Sequence, residues 1–226
     1  MFLGDLQTAI TKKLFDSGIK TSSLDSRIIL KEVFCFDEKE LILNSQSIVN
    51  KNKISEVYKI LARRISGEPV SKIFGKRDFY ESTFFISENV LDPRPETELI
   101  IEIANNFILD KRYKNFIDLG TGSGCIILSI LKDNKSLRAL GIDISNKAIN
   151  IAQKNCSNLN LEKQATFLVS NWLSKVSDSY DLIISNPPYI RSKDIDTLSG
   201  SVKNYDPLVS LDGGEDGLKC YREIAE

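Results

Sequence analysis

The chain has 226 residues, with 30 Lys and Arg against 31 Asp and Glu, so it lacks the basic excess of a general nucleic-acid binder; residues 1–70 hold 11 basic and 9 acidic side chains and residues 71–226 hold 19 and 22. It has no histidine, and its four cysteines (Cys35, Cys125, Cys156, Cys220) form no CxxC, which argues against a His-based triad or a zinc site and for reduced thiols. No apolar run approaches the ~20 residues of a membrane span. In the N-terminal MFLGDLQTAITKK the acid precedes the lysines, the reverse of a secretory signal, so a soluble, cytoplasmic protein is expected.

A chain of this length makes one large domain or two small ones and buries roughly 70% of the surface its unfolded form exposes. Residues 1–71 read as a helical domain. In DLQTAITKKLFDSG, Leu6, Ile10 and Leu14 recur every four residues and Gly18 follows as a stop. SSLDSRIILKEVF puts Leu24, Ile28 and Val33 near one face, with Ser22 or Ser23 as the cap. DEKELILN fits a short third helix. KISEVYKILARRIS carries Ile54, Val57, Tyr58, Leu61 and Ile65 on one stripe, and ends at Gly67 with Pro69 beyond.

Residues 72–92 are rich in aromatic and β-branched residues and predict a hairpin linker between two domains. DPRPETE then opens a helix running to about Leu109. From Lys114 strands and helices alternate: NFIDLG, GCIILSILKD, LRALGID, SNKAINIAQKNCSN, ATFLVS and YDLIIS. That alternation predicts a parallel, doubly wound, Rossmann-like α/β sheet over 93–226.

Two motifs carry chemistry. The first is DLGTGSG, on a strand-to-helix turn, where Gly120, Gly122 and Gly124 let a ligand lie against bare backbone. Asp143, at the end of the next strand, is placed to accept hydrogen bonds from both hydroxyls of a ribose. The spacing is GxGxG, not the GxGxxG of a dinucleotide site, and a ligand-free glycine turn is the alternative. The second motif is NPPY, Asn186 to Tyr189, which stops the LIIS strand dead because neither proline can donate to a ladder. It follows the fourth strand and so reaches the carboxyl edge of the sheet, beside the glycine turn.

Together these residues resemble the S-adenosylmethionine-dependent methyltransferases that act on a planar nitrogen, and imply a class I methyltransferase sheet. The lone pair of such a nitrogen is delocalised, so its N–H groups need acceptors that aim the nitrogen at the methyl. The Asn186 side-chain oxygen and the Pro187 carbonyl supply two, Pro188 stiffens the loop, and the Tyr189 ring can pack on the planar group. NPPY serves adenine, guanine and glutamine nitrogens alike.

GEPVSKIFGKRDFY, VLDPRPETE and YDPLVSLDGGEDGLKCYREI make the chain resemble the protein-(glutamine-N5) methyltransferases of peptide chain release factors, the PrmC/HemK family, from about Leu24 to the last residue. That resemblance implies a cofactor loop at Gly120, Thr121, Gly122, Ser123 and Gly124, with Asp143 on the ribose and Trp172 by the adenine. It implies a substrate loop at Asn186, Pro187, Pro188 and Tyr189, with Asn186 also near the cofactor. The implied substrate is the glutamine of a release factor's Gly-Gly-Gln loop, docked with help from the helical domain. No metal, membrane or direct nucleic-acid partner is implied. A core or covering role is the alternative for Trp172, and Arg94 and Glu96 are read as capping a helix and bridging domains.

The chain departs from the family at Asn171, where an Asp is usual, and at Asp92 and Asp206, both read as remote from the chemistry. The family continues several dozen residues past the point matching Glu226, so strands of the sheet are read as missing, and the chain as a fragment or decayed form. The runner-up functions are a nucleic-acid adenine-N6 or guanine-N2 methyltransferase, and a truncated, non-catalytic binding module.

Overall fold

The computed structural model describes residues 1–226, which divide into two compact units, Met1–Phe74 and Gly75–Glu226. The first unit holds α1 (Leu3–Asp16), α2 (Ser22–Phe34), α3 (Glu38–Leu43), α4 (Lys51–Ile65) and α5 (Val70–Phe74). Leu3, Leu6, Ile10 and Leu14 form the buried stripe of α1, as their spacing predicts, and pack against Ile29, Leu30 and Val33 of α2 and Val57 and Leu61 of α4. The stripe on α2 differs from the expected one, because Leu24 is exposed while Ser22, Asp25 and Ser26 turn inward. Polar partners explain this: Thr11 on α1 donates to Ser26 Oγ (2.7 Å) and Arg64 on α4 pairs with Asp25 (2.7 Å). Neither Ser22 nor Ser23 caps the helix. Thr21 takes that position without a side-chain bond.

The second unit opens with a hairpin, β1 (Lys76–Phe79) and β2 (Ser82–Phe85). Phe79 and Phe84 meet edge to face and enter the main core with Phe116. Then follow α6 (Glu98–Lys111), β3 (Asn115–Leu119), α7 (Cys125–Asp133), β4 (Arg138–Asp143), α8 (Asn146–Asn158), β5 (Ala165–Val169), β6 (Leu182–Ser185), α9 (Gly200–Lys203) and α10 (Lys219–Ala225). PRPETE forms a short 3-10 turn, Pro95–Thr97, before α6 begins at Glu98, with Pro95 in the first turn, where no N–H is needed.

The four strands form one parallel sheet in the order β5-β4-β3-β6. Seven residues of α7, from Cys125 to Leu131, are buried, so this helix and the sheet face beneath it make the core. The chain steps outward from β3 to β4 to β5, then returns to the other side of β3 with β6. Strand order thus reverses between β3 and β6, where open α/β sheets bind ligands beyond their carboxyl ends. No helix is long and apolar enough to cross a membrane.

Candidate active site

Leu119 pairs with Ser185 at the ends of β3 and β6, and the Ser185 hydroxyl donates to the Leu119 carbonyl at 2.7 Å. Gly120 and Asn186 therefore leave the sheet side by side. Above them opens a cavity of about 580 Å³, lined among others by Gly120, Gly122, Asp143, Trp172, Asn186 and Pro188.

Gly120, Gly122 and Gly124 all have positive φ, which only glycine adopts freely. Their tasks differ. Gly120 and Gly122 present bare backbone to the cavity, whereas Gly124 faces α8, where a Cβ would fall 3.2 Å from that of Ala152. Thr121 and Ser123 are buried and do not line the cavity. Thr121 instead donates to Asp118 Oδ2 beneath the loop (2.7 Å), and the Ser123 carbonyl accepts from Asn155 Nδ2 (2.8 Å).

Asp143 is fixed by the loop it serves. Its Oδ2 accepts from Gly122 N (2.9 Å) and its Oδ1 from Ser145 N (2.8 Å). Burial pushes its carboxyl above the usual carboxylate range, and these backbone bonds oppose the rise. Asp118, fully buried under the same turn, is pushed up to about 7, mainly by burial; the Thr121 hydroxyl opposes this and the nearby Asp143 adds to it. Its Oδ1 is orphaned.

Trp172 sits in a left-handed conformation (φ 44°), strained for a bulky residue and held from both ends. Its indole N–H donates to Glu223 on α10 (2.7 Å), and its carbonyl accepts from Ser170 Oγ (2.9 Å). The ring touches the sheet cluster of Ile117, Leu119 and Ile142 and also faces the cavity, so it covers the core and forms a wall at once. Asn171 lines the cavity beside it.

The NPPY residues divide likewise. Asn186 and Pro188 line the cavity, Pro187 is buried outside its lining, and Tyr189 is exposed. Asn186 Nδ2 donates to Thr97 in the PRPETE turn over a long 3.4 Å, so the nitrogen is the end tied to the protein and the oxygen is the end left to accept. Arg94 takes the N-cap position of the Pro95–Thr97 turn, its carbonyl accepting from Thr97 N (3.0 Å) with no side-chain cap bond, and its guanidinium pairs with Asp206 at 2.6 Å. Asp206 also accepts from Asp92 N at 3.1 Å, so these two departures from the family belong to one buried cluster behind the cavity wall.

Two residues escaped the sequence reading. Asn155 occupies a core position in the Ala148, Ile149, Ala152, Asn155, Cys156 pattern of α8, and a polar residue at an apolar position is a signal that can be read. Glu223 gives no such signal, being an acid on a short, mostly exposed helix, where an acid is expected whatever its role.

A family model described as Methyltransferase small domain matches residues 86–201, and one described as PrmC N-terminal domain matches residues 5–75. Among solved structures, the hMettl16 catalytic domain in complex with an RNA hairpin superposes with a TM-score of 0.53 at 19% identity, over 74% of this chain and 61% of that one. The likeness is one of fold: a class I methyltransferase sheet with its cavity at the reversal of strand order. A release factor glutamine methyltransferase of Caulobacter vibrioides is 38% identical over 219 residues, 96% of this chain and 76% of its own length. The one from Rhodospirillum rubrum is also 38% identical, over 100% of this chain and 69% of its own length. The chain belongs to the release factor glutamine methyltransferase family.

Proposed function

We propose that the protein transfers a methyl group from S-adenosylmethionine to the side-chain amide nitrogen of the glutamine in the Gly-Gly-Gln motif of peptide chain release factors. The observation that carries this reading is one shared cavity, with a glycine turn, a carboxylate and an indole on one side and the Asn186 amide on the other. The bare backbone at Gly120 and Gly122, the fixed Asp143 carboxylate and the flat Trp172 face suit a nucleoside with a ribose diol and a planar base. That cofactor brings an electrophilic methyl on a sulfonium sulfur.

The protein's own share is orientation. The Asn186 oxygen and the Pro187 carbonyl accept from the two N–H groups of the substrate amide, fixing its plane. The prolines hold these acceptors still, and exposed Tyr189 offers its ring to the incoming planar group. No histidine base is required, because the nitrogen turns acidic only as it gains the methyl. The helical unit contributes to docking the release factor. The four free cysteines fit a reducing, cytoplasmic setting.

The test is transfer of labelled methyl to a release factor. Label is expected on the wild-type factor and absent once its motif glutamine is replaced. Asn186→Ala should lower the rate about 30- to 1000-fold, as expected for ~2–4 kcal/mol of lost paired acceptance. Label entering RNA or DNA instead of protein would overturn the assignment.

A further inference from the structure

The glycine-rich segment DGGEDG, Asp212 to Gly217, has no role in the proposed chemistry, although Asp212 lines the cavity, and it lies directly against the acceptor loop. Ile190 bridges Asp212 in parallel register. Ile190 N donates to the Leu211 carbonyl (3.0 Å), Gly213 N to the Ile190 carbonyl (2.8 Å) and Ser192 N to the Gly214 carbonyl (2.9 Å). Asp212 Oδ1 closes the turn, accepting from Ser192 Oγ (2.7 Å) and Gly214 N (2.9 Å). The fit leaves no room for a side chain. A Cβ on Gly213 would fall 2.7 Å from Tyr189 Cα and 2.9 Å from the Pro188 carbonyl oxygen, and one on Gly217 would fall 2.5 Å from the Tyr189 carbonyl oxygen.

We infer that Gly213 and Gly217 are positioning residues that brace the back of the Asn186–Tyr189 loop and set where its acceptors stand. The inference rests on the proposed methyl transfer. Prolines stiffen the loop along its own chain, but rigidity within a loop does not fix its place relative to the cavity. Two glycines, Gly213 and Gly217, lying without side chains against Pro188 and Tyr189 would be an idle arrangement for a surface turn; as a support for the loop, the absence of Cβ atoms is what lets the two segments touch. Alignment-driven catalysis is sensitive to this, since a shift of about 1 Å in a positioned group costs on the order of 100-fold in rate.

Gly213→Ala is the informative variant, because Gly213 does not share the positive φ of Gly214 and Gly217, so the added methyl acts through contact with Tyr189, Pro188 and the Gly217 carbonyl (2.8 Å), pressing the two segments apart, and not through its own backbone strain. The expected result is a kcat lower by about 100-fold with S-adenosylmethionine affinity, by calorimetry, within about threefold of wild type. Hydrogen exchange at the Ile190 amide should also quicken, and this readout decides the brace even if the wild-type protein methylates no release factor, which would sink the proposed reaction alone. Should Gly213→Ala fail to fold, Ser192→Ala removes the outer tie to Asp212 at the surface and should give the same pattern at about tenfold. Unchanged kcat and exchange in the folded variants, or equal losses of cofactor affinity and rate, would overturn the inference.

Discussion

Asn155 offers the sharpest test of how the site is built. Its side chain pairs with both backbone groups of Phe85, accepting from N (2.7 Å) and donating to O (2.9 Å), and its second N–H reaches the Ser123 carbonyl (2.8 Å). One buried amide on α8 thereby ties the hairpin to the glycine turn. Asn155→Leu keeps the approximate shape and removes all three bonds, leaving three backbone groups unsatisfied in a dry setting. At about 1 kcal/mol for each bond, the loss is about 3 kcal/mol, and more if desolvation is not relieved. For a unit of this size that corresponds to a Tm about 6–12 °C lower. The sole tryptophan, Trp172, lies in the same unit, so its fluorescence follows this transition without a signal from the helical one. Asn155→Asp should be no better than Leu, since a carboxylate would face two carbonyl oxygens. A Tm fall under about 2 °C for Leu, or an Asp variant close to wild type, would refute the clamp.

Stability should also depend on pH through Asp118. With its carboxyl raised to about 7 by burial, the folded protein holds a proton that the unfolded chain has released above about 4, so stability is greatest at low pH in this window and falls as pH rises to about 7, then levels. Urea titrations from pH 5 to 8 should show that slope, and Asp118→Asn should flatten it. At the cofactor side, Asp143→Asn removes the charge that the ribose reading requires and should weaken S-adenosylmethionine about 10- to 100-fold by calorimetry. Cofactor addition should change Trp172 emission, and Trp172→Phe should abolish that signal.

The periodic parts of the fold were legible. Leu6, Ile10 and Leu14 predicted the buried face of α1, and the alternation after Lys114 predicted the parallel sheet, because single-element periodicity is set by which side faces the core. Leu24 failed for a related reason: the position it would have filled is taken by Asp25, whose pairing with Arg64 depends on a residue 39 positions away. The Gly120–Gly124 turn was legible as a motif but not as a division of labour. Which glycines face a ligand and which face α8 depends on Ala152, and spacing within the turn says nothing of that. The brace behind NPPY was invisible for the same cause, since contact between Gly213 and Tyr189 is made by the absence of atoms.

The two sides of the cavity are held by different physics, and the chemistry asks for that. The side proposed for the cofactor is fixed by hydrogen bonds, two to backbone (Asp143 to Gly122, Asn155 to Ser123) and one between side chains, from the Trp172 indole to Glu223. A small ligand of constant shape is best met by a preformed surface. On the proposed reaction the acceptor side receives a segment of another protein, and its outer residues Tyr189, Leu208 and Val209 are exposed, as that reading requires. Only their roots are tied, Tyr189 by the glycine brace and the Leu208 turn by Asp206, whose carboxylate meets Arg94 and the Asp92 amide. Arg94 lies three residues before Thr97, which holds the Asn186 nitrogen. A change at Asp206 would therefore reach the acceptor amide through that turn without touching the cofactor side, so the two halves of the reaction can be separated by mutation.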